Sequence, residues 1–217
     1  KQRNLDLKPI TVSRWGPFLA LHFGSPTTPL ETELAPLLET FATDPFEKMQ
    51  FVRRVSYPLE CNWKVFVDNY LDGGYHVPYL HRDLDTVLEY KEYRIENGDR
   101  YCLQSSPMKA GENRDVASVR TGEAAYYYWF YPNFMINWYE GVMDSNLVLP
   151  LDADHCRVVF DFYFEDPTDA GRIAQSVAVS LQYLGGQGND RSPADQLVAQ
   201  VFGALVDTLN TARSQLD

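Results

Sequence analysis

The chain has 217 residues, 45% of them hydrophobic and 14% aromatic, which is enough for one substantial folded domain with a small appendage. A formal net charge of −11 argues against unassisted binding to nucleic acid or an anionic membrane, because attraction to phosphate needs clustered Lys and Arg; it would suit a cationic small-molecule substrate. No stretch offers about 18 uninterrupted apolar residues for a membrane span. The charged opening KQRNLDLKPI is not followed by the apolar run of a secretory signal, so a cytoplasmic location is the expectation.

Residues 10–23 read as two short strands about Gly16 and Pro17, and SPTTPL at 25–30 is a turn-rich connection marking a boundary. A short helix is expected over 34–41 and a strand over 52–57. The next segment is the most informative one, NWKVFVDNYLDGGYHVPYLH at 62–81, which holds two of the four histidines. Trp63, Phe66, Val67, Tyr70 and Leu71 recur at helical spacing along one face, and Asn62 is placed to cap it. Asp68, Asp72 and His76 fall four apart on a second face. Each step of four turns an α-helix by only about 40°, so on an unbroken helix Asp72 reaches the His76 ring and fixes its tautomer, as carboxylates do behind metal-bound imidazoles. His81 lies past Pro78, which bends the chain and allows both rings to meet at one metal. Gly73 and Gly74 each cost about 1 kcal/mol relative to Ala within a helix, which points to close backbone approach or a bulge beside the histidines.

Strands are expected at 90–95 and 101–105, joined by a turn at Asn97, Gly98 and Asp99, followed by a long polar loop over 106–123 that could serve as a lid. Aromatic strands at 126–131 and 134–139 flank a Pro-Asn turn, and further strands are expected at 147–149 and 156–165. In the last of these Val158, Phe160, Phe162 and Phe164 alternate, implying one buried face of an antiparallel sheet. Ser192, Pro193 and Asp195 open a helix of about twenty residues, with Leu197, Val201, Leu205 and Leu209 as its apolar face. A long antiparallel sheet with a terminal helix is an α+β architecture. Cys61, Cys102 and Cys156 are odd in number and far apart, and suggest neither disulfides nor a thiolate zinc site.

The phrase DNYLDGGYHVPYLH at 68–81, with YPNFMINWYEGVMDSNLVLPL at 131–151 and CRVVFDFYFED at 156–166, resembles the catalytic part of Rieske-type non-haem iron oxygenase α-subunits, the ring-hydroxylating family, and its choline monooxygenase and glycine-betaine oxygenase branch. The resemblance implies a helix-grip (Bet v1-like) sheet packed against a long C-terminal helix. It implies residues 1–28 as the end of a Rieske module and 29–217 as the mononuclear-iron domain. Fe(II) in that family is held by two histidines and a carboxylate, with positions left open for O₂. Carried over, His76 and His81 are the imidazole ligands and Asp195, or in second place Asp190, is the carboxylate. Asp72 and Asp68 orient a ligand or relay electrons. The family's third-ligand motif, an acidic Glu-Asp pair, is absent after residue 182, and the usual bridging acid three residues before the first histidine is replaced by Gly73. Electrons come from a Rieske [2Fe–2S] cluster, normally on a neighbouring subunit of a homotrimer, and ultimately from NAD(P)H through a separate reductase. The cluster's Cys-x-His and Cys-x-x-His ligands do not occur in these 217 residues.

The implied reaction is hydroxylation or N-demethylation of a small quaternary ammonium such as choline or betaine. Tyr126, Tyr127, Tyr128, Trp129, Phe130, Tyr131, Phe134, Trp138 and Tyr139 are candidates for an aromatic cage, of which a strand can place at most alternate members in one pocket. Two other expectations fit the same residues. One is a catalytically inactive truncated paralogue acting as a binding or structural module, and the other an aromatic-ring-hydroxylating dioxygenase.

Overall fold

A computed structural model describes residues 9–182, apart from 27, 36, 38–45, 74–84 and 110–113. Strands β1 (Ile10–Trp15) and β2 (Phe18–Phe23) pair about a turn in which Gly16 takes φ +53°. The main sheet is antiparallel throughout and contains β3 (Gln50–Leu59), β4 (Arg94–Asn97), β5 (Tyr101–Pro107), β6 (Ala124–Phe130), β7 (Phe134–Tyr139), β8 (Val142–Pro150) and β9 (Cys156–Phe164). Its order is β3-β9-β8-β7-β6-β5-β4.

That order places β3 at one edge and β4, the next strand in the chain, at the other, roughly 29 Å apart at 4.8 Å per strand. Helix α2 (Trp63–Leu71) follows β3. It packs on the same face as α4 (Ala170–Gln182): Val67 and Val177 share a core with Met135, Val142, Val148, Val158, Phe160, Phe162 and Phe164. Leu103, Tyr128, Ile136, Trp138, Met143 and Tyr163 point the other way. They pack beneath the β1–β2 hairpin, Phe46 and the leucines of and after α1 (Leu30–Glu33). The alternation read in the last strand therefore holds, and Phe162 and Phe164 are fully buried.

Several expected elements are shifted. The first helix starts at Leu30, just after Pro29, whose fixed φ suits a helix entrance; Leu34 and Leu37 are buried, and most of 34–41 lies outside the described residues. The strand expected at 90–95 is a 3₁₀ turn, Tyr90–Glu92, followed by the short exposed edge strand β4. The loop over 106–123 contains the helix α3 (Arg114–Val119). The strand expected at 147–149 is the nine-residue β8, whose polar run Asp144, Ser145 and Asn146 had broken the apolar pattern; all three are buried. α4 was not anticipated, although Asp169 caps its first turn by accepting from the Arg172 amide at 2.9 Å. The helix expected from Ser192 lies outside the described residues.

Candidate functional site

α2 forms where its sequence places it. The Asn62 side chain accepts the Lys64 amide hydrogen at 3.0 Å as an N-cap, and Trp63, Phe66, Val67, Tyr70 and Leu71 all pack into the core shared with the sheet. The helix stops at Leu71. Asp72 is its C-cap, and the buried Gly73 takes φ +75°, a left-handed conformation costly for residues with a Cβ. A Cβ there would also lie 2.7 Å from Ile95 Cδ1.

This ending corrects one step of the sequence argument. The ladder Asp68, Asp72, His76 assumed an unbroken helix, and the regular spacing ends at Gly73. Asp68 and Asp72 are both exposed, and the Asp72 charge acts on the Tyr93 phenol, which burial above all and then that charge push far above the usual phenol range. His76, His81, Asp190 and Asp195 lie outside the described residues. Among the described residues, no group of three or more His, Cys, Asp or Glu could hold a metal. The donor set in the sequence, two imidazoles within six residues with a carboxylate candidate at Asp195 or Asp190, is of the kind that holds ferrous iron with positions left open.

Beside the end of α2 runs a buried polar network that the sequence reading missed. Gln104, Tyr127, Asn137, Asp144 and Phe162 form one row across β5 to β9 on the face toward α2 and α4. Asn137 Nδ2 donates to Asp144 Oδ2 at 2.6 Å and to Asn146 Oδ1 at 3.1 Å, and Asn146 Nδ2 donates to Asp144 Oδ2 at 3.1 Å. Arg120, only 3% exposed, donates to Ser176 Oγ at 3.0 Å and to Ser180 Oγ, fixing α4 to the segment before β6. Burial raises the Asp144 carboxyl above its ordinary value, opposed by the Arg120 charge and by hydrogen bonds from Asn137, Asn146 and Ser180. The available signal was alternation: Asp144 and Asn146 sit between Val142 and Val148 on one side of a strand, where an exposed edge would not flank them with valine.

The aromatic candidates divide between the faces, as strand geometry requires. Tyr127 and Trp129 point toward the helices with Tyr139, while Tyr126, Tyr128, Phe130, Phe134 and Trp138 point away. The Tyr127 and Tyr139 hydroxyls are 2.9 Å apart, and the Arg120 guanidinium lies 4.4 Å from the Tyr139 ring centroid, so an internal cation already occupies one face of that ring. A groove of about 290 Å³ is lined by Trp15, Phe18, Leu30, Phe130, Tyr131 and Phe134, on the side of the sheet away from α2.

Residues 46–183 match the ring hydroxylating alpha subunit (catalytic domain) family. The chloroplastic choline monooxygenase of Arabidopsis thaliana is 41% identical over 177 residues, which are 76% of this chain and 41% of that protein. The chloroplastic choline monooxygenase of Beta vulgaris is 32% identical over 187 residues, 82% of this chain and 41% of that protein. The chain thus spans about two-fifths of the length of these curated relatives. In fold it is similar to a quaternary ammonium Rieske monooxygenase studied for carnitine oxidation and inter-subunit electron transfer, with a TM-score of 0.68 at 20% identity over 89% of this chain and 51% of that one. From the matched domain and these relatives, the chain belongs to the ring-hydroxylating α-subunit family of Rieske oxygenases, in the branch of the choline monooxygenases.

Proposed function

We propose that this chain is the catalytic-domain portion of an oxygenase that hydroxylates or N-demethylates a small quaternary ammonium compound, choline or betaine-like. The observation that carries the proposal is the 41% identity to a choline monooxygenase over a segment that includes the whole phrase 68–81. His76 and His81 would hold a ferrous ion with Asp195, or with Asp190 in its place. Iron bound there would supply the activation of O₂ needed to place oxygen on a carbon of the substrate.

The protein's own residues supply position and electrostatics. Gly73 turns the chain out of α2 in a left-handed conformation, with Ile95 Cδ1 lying against it. Asp72 and Asp68, both exposed, would orient a ligand or lie on the path of incoming electrons. Those electrons would come from a Rieske [2Fe–2S] centre in the complete assembly, a homotrimer in this reading, fed from NAD(P)H by a separate reductase. Tyr127 and Trp129, on the face toward α2, are the aromatic rings best placed to meet a cation; the face of Tyr139 beneath Arg120 is already taken. Among the described residues no helix is long and apolar enough to cross a membrane. The cytoplasmic location expected from the sequence draws no support from relatives that are chloroplastic.

Calorimetry on the ferrous-loaded chain under anaerobic conditions tests the substrate class. Choline or glycine betaine should bind at least about fivefold more tightly than a neutral isostere of the same shape, in line with cation–π attraction of about 1 kcal/mol. Binding of an aromatic hydrocarbon in preference to any quaternary amine would replace this reading with ring dihydroxylation. A ferrous-loaded chain that binds neither class would reduce it to a structural module.

A further inference from the structure

Tyr70 is the next-to-last residue of α2 and stands six residues before His76. Its hydroxyl lies 2.9 Å from Asn137 Oδ1, 3.1 Å from the Ile136 carbonyl and 3.3 Å from the Tyr128 carbonyl, so its single proton is offered to acceptors on two adjacent strands, β6 and β7. Its backbone carbonyl accepts from Gln104 Nε2 at 2.8 Å, on a third strand, β5. The last four carbonyls of a helix have no partner within the helix, and here a buried side chain of the sheet supplies one. Gln104 is itself fixed, since its Oε1 accepts from the Tyr93 hydroxyl at 3.0 Å. Both ends of Tyr70 are therefore tied to the sheet, at neighbouring strands, immediately before the chain turns at Gly73.

The ties continue to the other helix. Asn137, which accepts from Tyr70, donates to Asp144, and Asp144 Oδ1 lies 3.5 Å from Ser180 Oγ on α4. Ser180 and Ser176 both accept from Arg120. One buried run of hydrogen bonds thus connects the last turn of α2 with the second half of α4 through the floor of the sheet. Buried polar groups that lose their partners are costly, so a connected run of this length favours a single geometry for both helices.

We propose that this network sets the end of α2 against α4, and that Tyr70 is the positioning residue that fixes the point from which the chain leaves α2, six residues before His76. The proposal rests on the iron-binding reading above. Phenylalanine at 70 keeps the ring, its packing and the bond from Gln104 to the backbone carbonyl and removes only the directed hydroxyl, so the last turn of α2 loses its tie to β6 and β7.

The test compares Tyr70→Phe with Tyr163→Phe in the whole 217-residue chain, Tyr163 being a buried tyrosine on the opposite face of the sheet. Co(II) serves as the probe, because its visible absorption reports ligand geometry. Tyr70→Phe should weaken Co(II) affinity by about tenfold, as loss of support behind metal ligands does, and alter the absorption band. Tyr163→Phe should change neither. Backbone amides at residues 70–73 should exchange with deuterium about tenfold faster in Tyr70→Phe only, and this second readout needs no metal. If the unaltered chain takes up no Co(II), the iron-binding reading fails and the exchange comparison alone decides the clamp. Unchanged exchange and an unchanged Co(II) spectrum in Tyr70→Phe, or equal effects from both substitutions, would overturn the proposal.

Discussion

At the scale of single residues the buried carboxylate of Asp144 departs from the chemistry of a surface residue. It is 2% exposed and receives hydrogen bonds from two asparagines, yet burial still raises its carboxyl above the ordinary value of 3.8. A raised carboxyl holds its proton in the folded chain over an interval in which the unfolded chain has released it. Stability therefore falls as pH rises from the unfolded value through the folded one. Asp144→Asn should flatten that decline in urea unfolding measured across a pH series, since an amide can still accept from Asn137 and Asn146 through its oxygen and face Ser180 with its NH₂. An unchanged slope in the variant would assign the pH dependence to other groups. Tyr70 makes a neutral counterpart: burial keeps its phenol protonated well past physiological pH, so it remains a donor. Removing that hydroxyl leaves Asn137 Oδ1 short of a partner, and Tyr70→Phe should cost about 1 to 3 kcal/mol in the same unfolding assay.

At the scale of elements, α2 shows what could be read from residues alone and what could not. Its cap, its apolar face and its place before a break were legible, because each follows from local spacing: Asn62 before Trp63, apolar residues at helical intervals, and two glycines in succession. Where the break falls was not legible. The left-handed turn falls at Gly73, which lies against Ile95, a residue of the far edge strand that comes to that place only after the sheet has formed. Gly73→Ala should accordingly cost about 1 to 2 kcal/mol by thermal or chemical unfolding, chiefly from the left-handed backbone, since the exposed end of Ile95 can move aside. A cost near that of an ordinary surface Gly→Ala change would mean that the turn relaxes around the new methyl. β8 teaches the converse. Its middle was misjudged because Asp144, Ser145 and Asn146 look like a loop in isolation, and their partners, Asn137, Arg120, Ser180 and Tyr163, come from four other parts of the chain. α4 was overlooked for a related reason: Ser176 and Ser180 interrupt its apolar face, and both are there to receive Arg120.

At the scale of the molecule, a seven-stranded antiparallel sheet carries α2 and α4 on one face and the β1–β2 hairpin with α1 on the other. The sheet is the common reference for both helices, so damage to its core should reach the candidate site. Phe162→Ala, which empties a fully buried position between the two helices and β9, should cost about 3 to 5 kcal/mol and loosen the site with it. The fold class was recoverable from alternation and turn signals, and the family from the phrase 68–81 with its two supporting segments. A carboxylate to join the two histidines in the proposed site was not, because the sequence after residue 182 departs from the family's motif, leaving Asp195 and Asp190 as rival proposals.

The central claim is that His76 and His81 share one ferrous ion. Anaerobic titration of the chain with Fe(II), followed by equilibrium dialysis, measures it directly. The account predicts one tightly held iron per chain, lost on His76→Ala and on His81→Ala, and weakened by Asp195→Asn or by Asp190→Asn according to which supplies the carboxylate. Iron bound no more tightly by the unaltered chain than by the two histidine variants would contradict it.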